Sequence, residues 1–177
     1  GLPCEMDNKD HPIHDAYESF LKQYEAPLVK GMAEIFSLAK SKGLPIAALT
    51  NQYDVIMRND FKRFGITYPF NLVMDGSTFI DGERLNKPDA RLMQKVLSYF
   101  ALDPKRVIHV GDKLVDLQAS VGLSNDETTH KTYNIGANWS HLHADLNGTV
   151  DTAFGPVGFD EVYTSVDQLY RFIEKNC

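Results

Sequence analysis

Three short stretches of the chain place polar or charged side chains beside apolar segments. They supply a hydroxyl, an amide, an ammonium group and two carboxylates, from Thr50, Asn51, Lys87, Asp112 and Asp116. A hydroxyl with neighbouring backbone N–H groups can bind phosphoryl oxygens, and an ammonium group offsets charge that develops on a transferred phosphoryl group. Two carboxylates suit a hard divalent cation, for which we expect magnesium. The set therefore predicts a phosphate site with Mg²⁺.

Apolar runs and helical patterns indicate how these side chains are positioned. Buried strands are predicted at residues 46–49 and 107–110, and further strands at 70–74 and 133–136. Residues 77–86 are predicted to form a loop or a small hairpin. The predicted helices cover residues 13–24, 27–42, a stretch around 55–61, 87–103, 114–121 and a last segment that Ser165 can cap. Strands that alternate with helices of this length indicate βα units and a mostly parallel sheet. The carboxyl ends of parallel strands lie along one edge, so we expect the reactive side chains to converge there.

Each stretch also has a purely structural interpretation. Thr50 and Asn51 can cap the following helix, and Asp112 can do the same for the helix after it. Lys87, which precedes a proline, can be a solvated lysine at a helix start. Taken together and in this order, the three stretches favour function.

Composition limits the classes of protein and partner. A chain of 177 residues suits one domain with a sizeable core. The net charge of −6 and the lack of a basic run argue against nucleic acid as a partner. No apolar span is long enough to cross a membrane, so no membrane partner is expected. Cys4 and Cys177 could form a disulfide, but two thiols in a reducing cytoplasm are the simpler interpretation.

Three histidines and one tryptophan follow the last predicted strand. His130, His141 and His143 could bind zinc, yet they lack a second pair at a fixed spacing, and scattered loop histidines are favoured. Trp139 is interpreted as an anchor in the core or at its rim.

The three reactive stretches resemble motifs of the haloacid dehalogenase-like hydrolase superfamily. In chain order, the segments that resemble its second, third and fourth motifs are Leu49–Asn51, Asn86–Asp89 and Gly111–Asp116. Residues 28–34 are similar to the helix before the second motif, and the likeness runs from about residue 27 to residue 123. The resemblance implies a Rossmann-like three-layer α/β fold and magnesium-dependent phosphoryl transfer, usually by a phosphatase.

The resemblance also implies a role for each matching residue. Thr50, with Asn51, would bind the phosphoryl group, and Lys87 would stabilise the nucleophile and the developing charge. Asp112 would ligate Mg²⁺, and Asp116 would ligate it or orient its waters. The partner would be a phosphorylated substrate, small or bulky. Residues 27–177 would form the core, and residues 1–26 would be the remnant of a small cap.

The family's first motif has no match in this chain. That motif is an apolar strand ending in Asp-x-Asp, and its first aspartate forms an aspartyl-phosphate. Nothing before Thr50 fits, and Asp75, which follows an apolar run, lacks the second aspartate and is expected in a turn. In the family this strand lies between those predicted at 46–49 and 107–110, so its omission would leave both edges unpaired.

Three explanations fit this departure. The strand belongs to a segment outside these 177 residues, a separate polypeptide supplies it, or the protein has lost it and no longer catalyses. The first two together are favoured, which predicts a phosphatase whose nucleophile lies outside these residues. The alternative is a non-catalytic regulatory or protein-binding module on the same fold.

Overall fold

Helices and strands alternate along most of the chain. The computed structural model describes residues 28–103, 106–121, 132–139, 146–152 and 155–177, together with Ser19. The described helices are α1 (Met32–Ser41), α2 (Asp54–Arg63), α3 (Arg91–Phe100), α4 (Leu114–Val121) and α5 (Val166–Asn176). The described strands are β1 (Ala47–Leu49), β2 (Leu72–Met74), β3 (Phe79–Ile80), β4 (Glu83–Arg84), β5 (Ile108–Gly111), β6 (Tyr133–Ala137), β7 (Val150–Thr152), β8 (Gly155–Val157) and β9 (Glu161–Tyr163).

Parallel pairing dominates the sheet, as predicted. Strand β1 pairs in parallel with β2, and β6 pairs in parallel with β5 on one side and β9 on the other. Among the strands that the structure describes, β3–β4 and β7–β8 pair antiparallel, as short hairpins. Residues 77–86, predicted as a loop or small hairpin, contain the first of these hairpins.

Helices pack against both faces of the sheet and make three layers. Successive residues of a strand point to opposite faces. Ile135 of β6 packs in a core cluster with residues of α1, α5 and β9, including Ile35 and Leu169. The preceding residue, Asn134, contacts Ser120 of α4 on the other face. The predicted Rossmann-like three-layer α/β arrangement follows from this packing.

The sheet consists of two separate parts among the described residues. One part is β1–β2 and the other is β5–β6–β9, and no described strand joins β1 to β5. The strand predicted at 46–49 is present as β1, but the prediction that it is buried is wrong, because all three residues of β1 are only partly buried. Val110 of β5 is also 39% exposed, although strands of a parallel sheet are normally covered on both faces. The central first strand stays a prediction.

Glycines fix both ends of the first described helix region. Gly31 precedes α1 with φ 92°, so the helix begins at Met32 and the predicted start near residue 27 is wrong. Gly43, with φ 68°, follows the helix and ends it as predicted. The predicted helix at 13–24 lies outside the described residues, apart from Ser19. None of the described helices combines the length and apolarity that a bilayer crossing requires.

Candidate active site

An ion pair joins two of the three predicted stretches. The Lys87 ammonium donates to Asp116 Oδ1 at 2.5 Å, across 29 residues of sequence. The Lys87 side chain is 17% exposed and that of Asp116 is 6% exposed. Lys87 is therefore not a solvated helix-start lysine, and this structural interpretation is wrong.

Asp116 is held by contacts on both of its oxygens. Its Oδ2 accepts the backbone N–H groups of Asp112 and Lys113, each at 3.0 Å. A Cβ on Gly111 would lie 2.4 Å from Asp116 Cβ, so only glycine permits this close approach. Burial would raise the pKa of Asp116, but the hydrogen bond and charge of Lys87, with the Lys113 N–H, outweigh it and hold the pKa below its ordinary value.

Asn51 connects the end of β1 to the lysine. Its Oδ1 accepts the backbone N–H of Lys87 at 2.8 Å. Thr50 Oγ1 accepts the Gln52 N–H at 3.0 Å, which leaves the hydroxyl proton able to donate to another group. The cap residue of α2 is Tyr53, so the interpretation of Thr50 and Asn51 as its cap is wrong.

The Asp75 carboxylate has a structural place beside this segment. Its Oδ1 accepts the N–H of Ser77 at 2.9 Å, and its Oδ2 accepts the N–H of Asp54 at 2.8 Å. Asp75 thus closes a turn after β2 and caps α2 from a distance. The expectation of a turn here is confirmed.

Asp112 carries the other carboxylate of the predicted metal pair. It follows β5, is half-buried, and its side chain has no hydrogen bond to the described residues. No group of three metal-ligating side chains occurs in the part of the chain that the structure describes. Magnesium commonly takes one or two protein carboxylates and fills its other positions with water and phosphate oxygens. The donor set fits Mg²⁺ through Asp112, with Asp116 already occupied by Lys87 and two N–H groups.

The structure thus brings the predicted residues into one connected group. Lys87 contacts Asn51 through its backbone and Asp116 through its side chain. Thr50 precedes Asn51 in the chain, and the Asp112 N–H donates to Asp116. The roles assigned to the five residues stay predictions. Trp139 packs against the core, as predicted, whereas His130, His141 and His143 lie outside the described residues.

Sequence comparison identifies the family. The family described as haloacid dehalogenase-like hydrolase matches residues 4–124, which is more than half of the chain. The chain belongs to the haloacid dehalogenase-like hydrolase family.

Curated relatives within this similarity carry phosphatase names. A phosphoglycolate phosphatase of Agrobacterium fabrum is 27% identical over 114 residues, covering 61% of this chain and 47% of the relative. A phosphoserine phosphatase of Thermus thermophilus is 31% identical over 94 residues, covering 52% of this chain and 36% of the relative. The chain spans about half the length, or less, of these relatives.

Solved structures support the fold class. CbbY from Rhodobacter sphaeroides, in complex with phosphate, has a TM-score of 0.63 at 20% identity, covering 90% of this chain and 67% of that protein. A predicted phosphoglycolate phosphatase from Haemophilus somnus has the same TM-score at 17% identity, covering 90% and 62%. At these identities the likeness establishes the fold, and the predicted fold class is confirmed.

Proposed function

We propose that this chain is the core of a magnesium-dependent phosphatase. The observation that carries the proposal is the contact of Lys87 with both Asn51 and Asp116, which unites the three predicted stretches in one site. Relatives named phosphoglycolate phosphatase and phosphoserine phosphatase support a phosphate monoester as the substrate.

In this proposal the chain's own residues bind and neutralise the phosphoryl group. The Thr50 hydroxyl accepts the Gln52 N–H through its oxygen. Its own proton then donates to a phosphoryl oxygen. The Lys87 ammonium has three protons, and one of them goes to Asp116, so the others can stabilise charge on the phosphoryl oxygens. Asp116 keeps the ammonium in place and Asp112 holds Mg²⁺. The bound metal would supply further compensation for phosphoryl charge.

The nucleophile must come from elsewhere in this proposal, because the 177 residues contain no Asp-x-Asp. We place an aspartate outside these residues, on a strand between β1 and β5. One of its oxygens would attack phosphorus as the ester P–O bond breaks, and the departing oxygen would take a proton from water and leave as the alcohol. A second water would then hydrolyse the aspartyl-phosphate to phosphate and the free carboxylate. Cytoplasmic location stays a prediction.

Mass spectrometry combined with an activity assay tests this function. The purified protein is weighed under denaturing and then native conditions, and hydrolysis of a phosphate monoester is measured with and without Mg²⁺. We expect turnover only from a species that carries polypeptide beyond the 177 residues, and a loss of about 100-fold or more for Lys87→Ala. Magnesium-dependent hydrolysis by these residues alone would refute the external nucleophile.

The missing Asp-x-Asp also favours a second candidate, a non-catalytic regulatory or protein-binding module. In that case no species hydrolyses phosphate monoesters, and a single chain of 177 residues accounts for the native mass. Lys87→Ala and Asp112→Asn would then leave binding to a partner unchanged. The same two variants abolish turnover if the phosphatase proposal holds, so they separate the two functions.

A further inference from the structure

A cluster of buried polar side chains lies between β5, β6 and α4. Its members are His109, Ser120, Thr132 and Asn134, and all four are buried. Buried polar groups reduce stability unless they are hydrogen-bonded, and in the described residues every fully buried side-chain N or O atom has a partner. Such a cluster specifies one arrangement of the elements that it joins.

Asn134 is the centre of this cluster. Its Oδ1 lies 3.1 Å from His109 Nδ1, 2.5 Å from Ser120 Oγ and 3.3 Å from Thr132 Oγ1. Its Nδ2 donates to the Thr132 carbonyl at 2.9 Å, which sets the orientation of the amide. The Ser120 hydroxyl has one proton and two acceptors, Asn134 Oδ1 at 2.5 Å and the Leu117 carbonyl at 2.9 Å. Two oxygens 2.5 Å apart need a proton between them, so the hydroxyl donates to Asn134.

The backbone of Asn134 is fixed as well. Its N–H donates to Asp160 Oδ2 at 2.8 Å, and its carbonyl accepts the Asp160 N–H at 2.8 Å. The amide oxygen of Asn134 therefore occupies a defined point on the face of β6 that α4 covers.

The cluster reaches the candidate site through α4. Ser120 lies four residues after Asp116, so both side chains project from the same side of this helix. His109 lies two residues before Gly111, and Asp116 packs against Gly111. Burial lowers the pKa of His109, and Lys87 adds to this effect while Asp116 and Asn134 oppose it. The amide oxygen of Asn134 can only accept a hydrogen bond, so the His109 nitrogen that faces it, Nδ1, carries the proton.

We propose that Asn134 is a positioning residue for the Lys87–Asp116 ion pair. Through Ser120 it holds α4 so that Asp116 lies against Gly111 and within reach of Lys87. The importance of this pair for turnover rests on the proposed function, but the positioning itself does not.

Two matched variants of the full chain test the proposal. Ser120→Ala and Thr132→Val each remove one hydroxyl that donates to Asn134, and only Ser120 lies on the helix of Asp116. The measurement is the rate of reductive methylation of Lys87, followed by peptide mass spectrometry and normalised to the exposed Lys95 and Lys175. Asp116→Asn shows the rate for an unpaired Lys87.

We expect Ser120→Ala to raise the labelling rate of Lys87 by roughly threefold to tenfold, the range that one hydrogen bond represents. Thr132→Val should label like the wild type, and Asn134→Leu at least as fast as Ser120→Ala. Equal rates for Ser120→Ala and Thr132→Val would overturn the proposal, even if Asn134→Leu does not fold. Labelling is independent of hydrolysis, so full activity of Lys87→Ala would overturn the phosphatase proposal alone.

Discussion

Removing the Asp116 carboxylate leaves the Lys87 ammonium without its ion-pair partner in a mostly buried position. We expect Asp116→Asn to lower the free energy of unfolding by about 2 kcal/mol. This is less than the roughly 3–5 kcal/mol typical of a fully buried broken pair, because Lys87 keeps some access to water. Urea denaturation at pH 7 measures the difference.

Asp112→Asn is the matched control for this prediction. It makes the same chemical change four residues earlier, on a carboxylate without a hydrogen bond to the described residues. Its effect on the free energy of unfolding should stay within about 0.5 kcal/mol. Equal losses in the two variants would mean that the ion pair does not contribute to stability.

The same carboxylate makes stability depend on pH. The pKa of Asp116 is lower in the folded protein than its ordinary value of about 3.9. The unfolded chain therefore binds this proton more readily, and the contribution of Asp116 is complete above about pH 4 and is lost as the pH falls through the folded pKa. The stability difference between wild type and Asp116→Asn should shrink below pH 4, as urea titrations down to pH 3 can measure. If the stability difference between the two proteins stayed constant down to pH 3, the prediction would be wrong.

Asparagine side chains accept hydrogen bonds at both ends of strand β1. Both bonds should contribute to the stability of the protein, but only the second one should affect the position of Lys87. Asn71 Oδ1 accepts the Ile46 N–H before the strand, and Asn51 Oδ1 accepts the Lys87 N–H after it, both at 2.8 Å. Asn51→Ala and Asn71→Ala should each lower the free energy of unfolding by about 1 kcal/mol, as urea denaturation can measure. Only Asn51→Ala should also raise the labelling rate of Lys87. If Asn71→Ala raised it equally, the effect would come from general loosening of the strand.

Periodic apolar patterns explain which elements the sequence predicts. All five described helices, and strands β1, β2, β5 and β6, have apolar residues at helical spacing or in short runs. Strands β7, β8 and β9 escape prediction because none of them contains an apolar run, and β8 contains Gly155 and Pro156, which seldom occur inside strands. Parallel pairing of β9 with β6 depends on tertiary packing and has no local signal.

The sequence also predicts part of the candidate site, namely the residues at the strand ends. Strand ends converge in a parallel sheet, so Thr50, Lys87 and Asp112 could be grouped from sequence order alone. The role of Asn134 could not, because its partners lie 14 and 25 residues away and no motif spacing connects them. The one local signal is His109, a polar residue that interrupts an apolar strand.

Because the sheet is in two parts, a charged residue introduced on β5 should have little effect on the stability of these 177 residues. Val110 is 39% exposed, and Val162 in β9, at the other edge of the same three strands, is 37% exposed. In these 177 residues, Val110→Lys and Val162→Lys should each change the free energy of unfolding by less than about 0.5 kcal/mol, since both side chains reach water.

A strand seated between β1 and β5 would make these two variants differ. It would cover Val110, so a lysine there would place a charge in the interior of the completed sheet. We expect Val110→Lys to remove turnover whichever polypeptide supplies the strand, while Val162→Lys retains turnover. If a separate polypeptide supplies it, Val110→Lys should also remove the mass of that polypeptide from the native mass spectrum. If Val110→Lys behaves like Val162→Lys in an active species, the nucleophile does not enter through this gap, and the two parts of the sheet must be completed in another way.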